Sequence, residues 1–408
     1  MAYAKSAVMD QGFRNYLIVN AGYCAFTITD GAIRMLVLLY FHQLGYSPIE
    51  IAMLFLFYEF FGIVTNLVGG WLGSRIGLNN TMHLGMALQI VALMALTVPD
   101  AWLTVAYVMA AQALSGIAKD LNKMSAKAGV KLFLPDHAED RLFHWVAILT
   151  GSKNAMKGAG FFIGAALLAW LEFRGALVTL SGLLALVLIW MWSTLPAELG
   201  KSKAKSKFHE VFSKSSKVNW LSAARFFLFG ARDVWFVVGV PVFLQTILGW
   251  SFTQVGAFLA LWVIGYGIVQ GSAPTLLRHI SSKEMDGIML AIWALLLMVV
   301  SLGLAVSMQQ LWNLNLVIIL GLALFGIVFA INSAAHSYLI VSWSDREHVS
   351  MNVGFYYMAN AGGRLAGTLL SGALYQFYGL EGCLYGSAIF ALMAAIMSLE
   401  LHRKNRFC

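Results

Sequence analysis

Apolar runs of about 20 residues, separated by short polar or glycine-bearing turns, follow one another through almost the whole chain, and each can cross a hydrocarbon core about 30 Å thick. They predict twelve helices, over 14–42, 47–74, 79–98, 101–127, 142–171, 174–195, 218–248, 251–278, 286–308, 312–340, 347–378 and 381–401. An even number of crossings returns the chain to the side on which it began. The expected fold class is an all-α integral membrane protein with twelve transmembrane helices.

One connection breaks the rhythm. The stretch "PAELGKSKAKSKFHEVFSKSSK" at 196–217 is polar, carries six lysines and follows the sixth predicted helix. It divides the chain into a six-helix half over 1–195, a basic linker suited to anionic lipid headgroups, and a second six-helix half over 218–408. A weak internal repeat supports the division: "LGYSPIEIAMLF" and "LGWSFTQVGAFL" match at an offset of 204 residues, which also brings Asp30 to within one residue of Asp233. Transporters of the major facilitator type are built from two such halves, with substrate held between them near the midplane.

Composition adds exclusions. Of 408 residues, 60% are hydrophobic and 11% charged, where a soluble domain carries about a quarter charged residues. A soluble enzyme is thereby excluded. The opening "MAYAKSAVMDQGFRN" lacks the apolar core of a cleavable signal and is expected to stay in the cytoplasm. Cys24, Cys383 and Cys408 are scattered, which gives neither a disulfide framework nor a metal-ligand pattern. No phosphate-binding glycine loop is present, so no nucleotide or other cofactor is expected, and transport would draw on a gradient or an exchanged solute.

Charge sets the orientation. The termini and the loops on their side hold 17 lysines and arginines, against Arg174 alone on the other side. By the positive-inside rule both termini are cytoplasmic, in a multi-pass protein of a bacterial cytoplasmic membrane that is expected to act as a monomer.

Nine further basic residues fall within the spans: Arg34, Lys119, Lys123, Lys127, Lys153, Lys157, Arg225, Arg232 and Arg364. A charge at the bilayer centre costs at least ~2.5–3.5 kcal/mol, so these are expected to line a water-filled cleft or to pair. Pairing alone cannot absorb them, because Asp30, Glu59, Asp120 and Asp233 are the only acids inside the same spans. Lys123, Lys127 and Arg225 lie near the cytoplasmic ends and can also reach the interface with their long stems. The third, sixth, ninth and twelfth spans carry no interior charge, as expected of helices that face lipid.

Lys119, Lys123 and Lys127 share one helix face, where their mutual repulsion penalises the helix unless an anion visits. Lys153 and Lys157 repeat the spacing on the next span. Together they read as the wall of a cationic funnel that attracts an anionic small molecule. Arg34 and Arg232 lie at comparable depths in the two halves, where facing guanidinium groups can hold an oxyanion through paired hydrogen bonds. The competing reading is a structural Asp-Arg brace. Neutral donors that could complete such a site are Asn122, Asn154, Gln112, Tyr58, Tyr266, Gln270, Asn332, His336, Tyr356 and Asn360; any one of them is more often a helix-packing hydrogen bond, and Asn154 and Asn122, beside the lysines, carry the most weight. Asp30, Glu59 and Asp233 are candidate proton carriers, although neighbouring arginines favour their charged forms.

Two resemblances follow. "GGWLGSRIG" at 69–77 resembles the major facilitator loop signature, with Ser74 in place of its acid and Leu78 and Asn79 in place of its basic pair. More extensively, "TDGAIRMLVLLYFHQLGYSP", "LFYEFFGIVTNLVGGWLG", "QALSGIAKDLNKMSAKAGVKL", "LTGSKNAMKGAGFF", "LSAARFFLFGARDVWFVVGVPVFL" and "LALWVIGYGIVQGSAP" together resemble the organoarsenical efflux permeases called ArsJ. That resemblance implies export of 1-arseno-3-phosphoglycerate, the ester formed when glyceraldehyde-3-phosphate dehydrogenase uses arsenate in place of phosphate. It also implies a functional link to that dehydrogenase through its product. A pentavalent ester presents hard oxygens to Arg and Lys and needs no thiolate pair. The alternatives are a carrier of an ordinary organophosphate or other organic anion, a membrane sensor of such an anion, or a membrane enzyme. The last lacks any recognisable set of nucleophile, base and orienting group.

Overall fold

The structure is a computed structural model that describes residues 2–133, 139–195, 215–280, 286–310, 313–342 and 349–405. The described elements are all helical: α1 (Ala2–Gln43), α2 (Pro48–Leu54), α3 (Leu56–Ile76), α4 (Leu78–Ala95), α5 (Val105–Phe133), α6 (Glu139–Thr194), α7 (Ser216–Phe236), α8 (Gly239–Thr246), α9 (Phe252–Ile280), α10 (Gly287–Met308), α11 (Leu314–Ser342) and α12 (Val349–Asn405). Two of these run through a single sharp turn. Glu172 interrupts α6 at φ 58° and Gly379 interrupts α12 at φ 65°. Both turns fall where the sequence separates the fifth span from the sixth and the eleventh from the twelfth. Eight stretches among the described residues are long and apolar enough to cross a membrane.

The predicted second and seventh spans are each broken in two. At the second break, the amides of Val238 and Gly239, which would otherwise lack helical acceptors, both donate to Ser371 Oγ at 3.1 Å. A side chain from α12 thus satisfies the polar backbone that an interrupted helix exposes inside a membrane. The first helix also starts earlier than expected, at Ala2 instead of residue 14. Apolarity marks where a chain enters lipid, whereas helix formation continues through good formers such as the Ala, Lys and Met of the opening segment.

The internal repeat has a structural basis. Gly45 and Gly249, 204 residues apart, both take positive φ (86° and 68°), which glycine reaches without a Cβ clash. Two residues later, Ser47 caps α2 and exchanges hydrogen bonds with Glu50, and Ser251 does the same with Gln254 at the start of α9. The matching letters therefore encode one turn and one capping box used twice.

Helix packing repeats as well. α1 lies against the first segment of α6, where a methyl added at Gly160 would come within 2.4 Å of the Ile28 carbonyl and one at Gly164 within 2.5 Å of that of Ala32. α7 lies against the first segment of α12 in the same manner, with Gly363 and Gly367 meeting the backbone of Phe226 and Gly230. Small residues four apart let the backbones touch, which is how helices associate where lipid removes the hydrophobic drive. Two further approaches tie these layers together: Gly256 of α9 on Phe161 and Ala165 of α6, and Gly372 of α12 on Pro48 and Ala52 of α2.

The result is a centre and a periphery. In the apolar stretches of α1 and of α7 with α8, 78% and 83% of residues are buried, against 33–44% in the other spans. Large exposed apolar side chains occur on α4, the second half of α6, α10 and the second half of α12, among them Val91, Leu186, Trp192, Val299 and Ile389, and also on α3 and α11, among them Phe60, Leu316 and Leu320. The first four are spans in which the sequence placed no interior charge, whereas α3 carries Glu59.

An alanine at Gly363 must displace the Phe226 carbonyl, 2.0 Å from the added carbon, whereas Gly271 has open space around it. Gly363→Ala is expected to cost about 1–3 kcal/mol through overpacking and to lower the melting temperature in detergent, with Gly271→Ala unchanged. Equal melting temperatures would show that the α7–α12 contact yields.

Candidate functional site

A cavity of about 200 Å³ opens where α1, α3, α5, α6, α7, α9, α11 and α12 converge. Its lining contains Arg34, Lys119, Lys123, Lys153, Lys157, Arg225, Arg232 and Arg364, together with Asp30, Glu59, Asp120 and Asp233. Eight formal positive charges thus face four negative ones. The sequence placed these residues on six spans, and the fold brings all of them to one surface.

The carboxylates organise most of the cations. Glu59, 1% exposed, accepts from Arg34 Nη2 at 3.0 Å and from Arg364 Nη2 at 2.6 Å, both on Oε1, with Lys119 Nζ 4.0 Å from Oε2. Arg364 reaches across with its Nε to Asp233 Oδ2 at 3.2 Å, and Asp233 Oδ1 accepts from Arg232 Nε at 2.6 Å. One arginine on α12 therefore joins a carboxylate on α3 to a carboxylate on α7. Asp120 pairs with Lys123, which also donates to Asn66 Oδ1 at 2.8 Å. Asp30 instead accepts from the Tyr58 hydroxyl at 2.6 Å.

Aromatic faces complete these contacts. Lys119 Nζ sits 3.9 Å from the centre of the Tyr58 ring, and Arg34 lies over Phe55 and Tyr58. Arg232 lies over Phe229, Phe236 and Phe329, at the edge of a packed group that includes Trp235, Trp262 and Tyr266. Ring faces attract cations and hold water away, which strengthens the ion pairs beside them.

The remaining cations are held differently. Arg225, 4% exposed, donates to Asn360 Oδ1, to the Ser333 carbonyl and to Ser333 Oγ at 3.0–3.1 Å, all of them neutral acceptors. Asn154 donates to Gln270 at 3.3 Å, and Gln270 to Ser333 Oγ at 3.4 Å. Lys157 has the Phe161 ring 5.7 Å away. Its main charged neighbours are Arg364, Arg34, Asp30 and Lys153.

Of the residues expected to bind substrate, Asn122 is the exception. It is fully buried, donates to the Ala118 carbonyl and packs on Gly85, so it serves the α4–α5 contact and does not line the cavity. A periodicity argument puts it one position from Lys123, and on a helix one position turns a side chain by about 100°. The side chain of Lys127 lies outside the described residues. Arg34 and Arg232 both reach the cavity, but each is engaged by a carboxylate, so the Asp-Arg brace is present alongside any grip on substrate. Sequence reasoning named Gln270 and Asn360 among the possible neutral donors but missed Asn66 and Ser333, whose only signal was a polar residue within an apolar helix.

A many-helix membrane protein with a charged, water-accessible chamber at its centre belongs to the transporter class. Residues 19–285 and 285–406 match the family described as Major Facilitator Superfamily, and the chain belongs to it. None of the curated proteins matches the sequence. Among solved structures it is similar to a POT family transporter in complex with 5-aminolevulinic acid (TM-score 0.78, 14% identity, 96% of each chain). It is likewise similar to a POT family transporter in complex with a thioalcohol-conjugated peptide (TM-score 0.76, 14% identity, 96% of each chain). At that identity the likeness is one of fold.

Removing the central carboxylate strands the buried Arg34 guanidinium and leaves Arg364 with Asp233 alone. Glu59→Ala is expected to destabilise the protein by about 3–5 kcal/mol, and Glu59→Ala with Arg34→Leu by less. Melting curves of the single and double variants in detergent test this, and a double variant no better than the single would remove Arg34 from the balance.

Proposed function

We propose that the protein is an alternating-access exporter of a short, multiply charged organic anion. It would work as two six-helix halves, 1–195 and 218–408, joined by the basic linker 196–217, in a bacterial cytoplasmic membrane with both termini inside. The observation that carries the reading is the convergence of eight cations on one chamber that holds four carboxylates. Such a chamber concentrates anions and repels cations. The twice-used turn and the matching α1–α6 and α7–α12 approaches support the division into halves.

The cargo we favour is 1-arseno-3-phosphoglycerate, which the resemblance to the organoarsenical permeases implies. Its two oxyanion ends suit several cations at once, and its source would be glyceraldehyde-3-phosphate dehydrogenase acting on arsenate. In this scheme the lysines 119, 123, 153 and 157 draw the ester in, and Asn154 and Arg225 help seat it. Arg34, Arg232 and Arg364 exchange their carboxylate partners for substrate oxygens as the halves rock. Asp30, Glu59 and Asp233 are the groups through which protons could be coupled. An ordinary organophosphate is the alternative cargo, since arsenate and phosphate esters share their oxyanion geometry.

Everted membrane vesicles decide the cargo. Arsenic is expected to accumulate when arsenate, glyceraldehyde 3-phosphate, the dehydrogenase and NAD are supplied together, and not with arsenate alone. Uptake of 3-phosphoglycerate alone would favour the organophosphate reading, and uptake of 5-aminolevulinic acid alone would sink both. Arg34→Ala and Arg232→Ala are expected to abolish accumulation while inserting normally, and wild-type uptake by either removes that arginine from the site.

A further inference from the structure

Three of the four carboxylates in the cavity are each met by at least two basic side chains. Glu59 meets Arg34, Arg364 and Lys119, Asp233 meets Arg232 and Arg364, and Asp120 meets Lys119 and Lys123, always with a nitrogen within 4.0 Å of a carboxylate oxygen. Asp30 stands apart. It is 5% exposed and makes no ion pair among the described residues, and the hydrogen bond it accepts comes from the neutral Tyr58 hydroxyl at 2.6 Å.

That difference decides which acid is free to exchange a proton. A carboxylate touched by two cations keeps a charged partner when substrate takes one of them, so protonating it costs an ion pair whether the chamber is empty or loaded. Asp30 has no such pair to lose. Its charge is balanced by the chamber as a whole, through cations that it does not touch.

Lys157 is one of these. A methyl added at Gly31 would come within 2.7 Å of the Lys157 carbonyl, so the backbones of α1 and α6 touch one residue from Asp30. Asp30 is also the one acid among the main charged neighbours of Lys157. The other titratable and charged groups around Asp30 are Tyr23 and Arg34 on α1, Tyr58 and Glu59 on α3, Lys119, Asp120 and Lys123 on α5, Lys153 on α6, and Tyr357 and Arg364 on α12. An anion bound by these cations cancels the positive charge that balances Asp30, and its own charge repels the carboxylate. Proton uptake removes that repulsion.

We propose that Asp30 is the proton-binding site of the carrier, taking up a proton when a substrate anion enters the chamber and releasing it when the anion leaves, while Glu59, Asp120 and Asp233 stay ionised. The inference rests on the anion-transport reading but is independent of which anion is carried. Proton and anion strengthen each other's binding by the same factor. Affinity for an anion of fixed charge is therefore highest at low pH and falls as pH rises through the range in which Asp30 gives up its proton.

The test is equilibrium binding of sulfate and of 3-phosphoglycerate to the purified full-length protein in detergent, between about pH 5.5 and about pH 8.5. Proton uptake is read with an indicator dye, and a melting curve accompanies every variant. Either probe suffices for the proton count, since its own titration is common to all variants. Wild-type protein is expected to bind sulfate at least tenfold more weakly at the high end of the range than at the low end. Asp30→Asn, a neutral stand-in for the protonated acid, is expected to hold the low-pH affinity throughout and to take up about one proton fewer per anion. Tyr58→Phe keeps the ring beneath Lys119 and Arg34 but removes the donor to Asp30, and is expected to move the fall in affinity to higher pH. Lys157→Arg, whose side chain cannot give up a proton, is expected to retain the pH dependence whatever its affinity. So is Asp100→Asn, which removes an acid paired with Arg174 on the exposed surface.

A wild-type affinity and proton count that ignore pH, or an undiminished pH dependence in folded Asp30→Asn, overturns the proposal. If Asp30→Asn fails to fold, an unmoved curve in Tyr58→Phe does the same. Loss of the pH dependence in Lys157→Arg would overturn it in favour of the lysine, and loss in Asp100→Asn would overturn it by exposing a general charge effect. Proton-linked binding that depends on Asp30, with no arsenic accumulation in vesicles, would leave the proton site standing and remove the arsenate ester as cargo. A wild-type protein that binds neither probe would overturn both.

Discussion

The buried carboxylate of Glu59 is the constraint on which the centre of this protein turns. The charges that act on it most strongly are those of Arg364, Lys119, Arg34 and Lys157, which come from four different helices. None of these cations could sit so far from bulk water without a compensating charge, and Glu59 could not be buried without them. Because Arg364 continues to Asp233 and Arg232, the mutual dependence runs from α3 through α12 to α7. The close glycine contacts of α1 with α6 and of α7 with α12 bring the backbones near enough for these side chains to meet.

Ion pairs of this kind are poor sources of net stability and good sources of specificity. Their desolvation cost roughly cancels their attraction, so alternative pairings differ little in free energy. In the proposed cycle, a substrate oxyanion that replaces a carboxylate at an arginine would exchange one such pairing for another. That near-equality is what a carrier needs, since a deep energy minimum in any one state would stop the cycle.

Much of the architecture was legible in the sequence because two periodicities wrote it there. Span lengths and turn residues located the breaks at 172 and 379 to within a residue or two, and the charge-free third, sixth, ninth and twelfth spans marked four lipid-exposed segments but not α3 or α11, which expose Phe60 and Leu320 among others. The repeat of Gly45 and Ser47 at Gly249 and Ser251 was visible as letters, though its meaning as a turn and cap needed coordinates. The interruptions at Phe55 and Val238 were not legible, since a tertiary partner, Ser371, makes the second tolerable. At the site, residue type alone gathered the charged groups correctly, because a charge in a membrane span has few places to go. Which cation pairs with which acid depends on distances between helices, and that separates Arg225 from Arg232 although both lie on α7. The same dependence misplaced Asn122, one residue from a cavity lysine yet turned towards α4.

The formal charge of the chamber also bears on the electrical side of transport. Eight cations and four carboxylates make the empty chamber positive, and a membrane potential acts on charge displaced through it with about 2.3 kcal/mol per elementary charge for each 100 mV. On the proposed reading as an anion exporter, a cell interior that is electrically negative would draw an empty positive chamber to face inward, the orientation in which an exporter loads. An anion of several charges would cancel that bias, so the loaded chamber would turn outward almost without electrical work. The resting voltage of the membrane would then reset the carrier after each delivery.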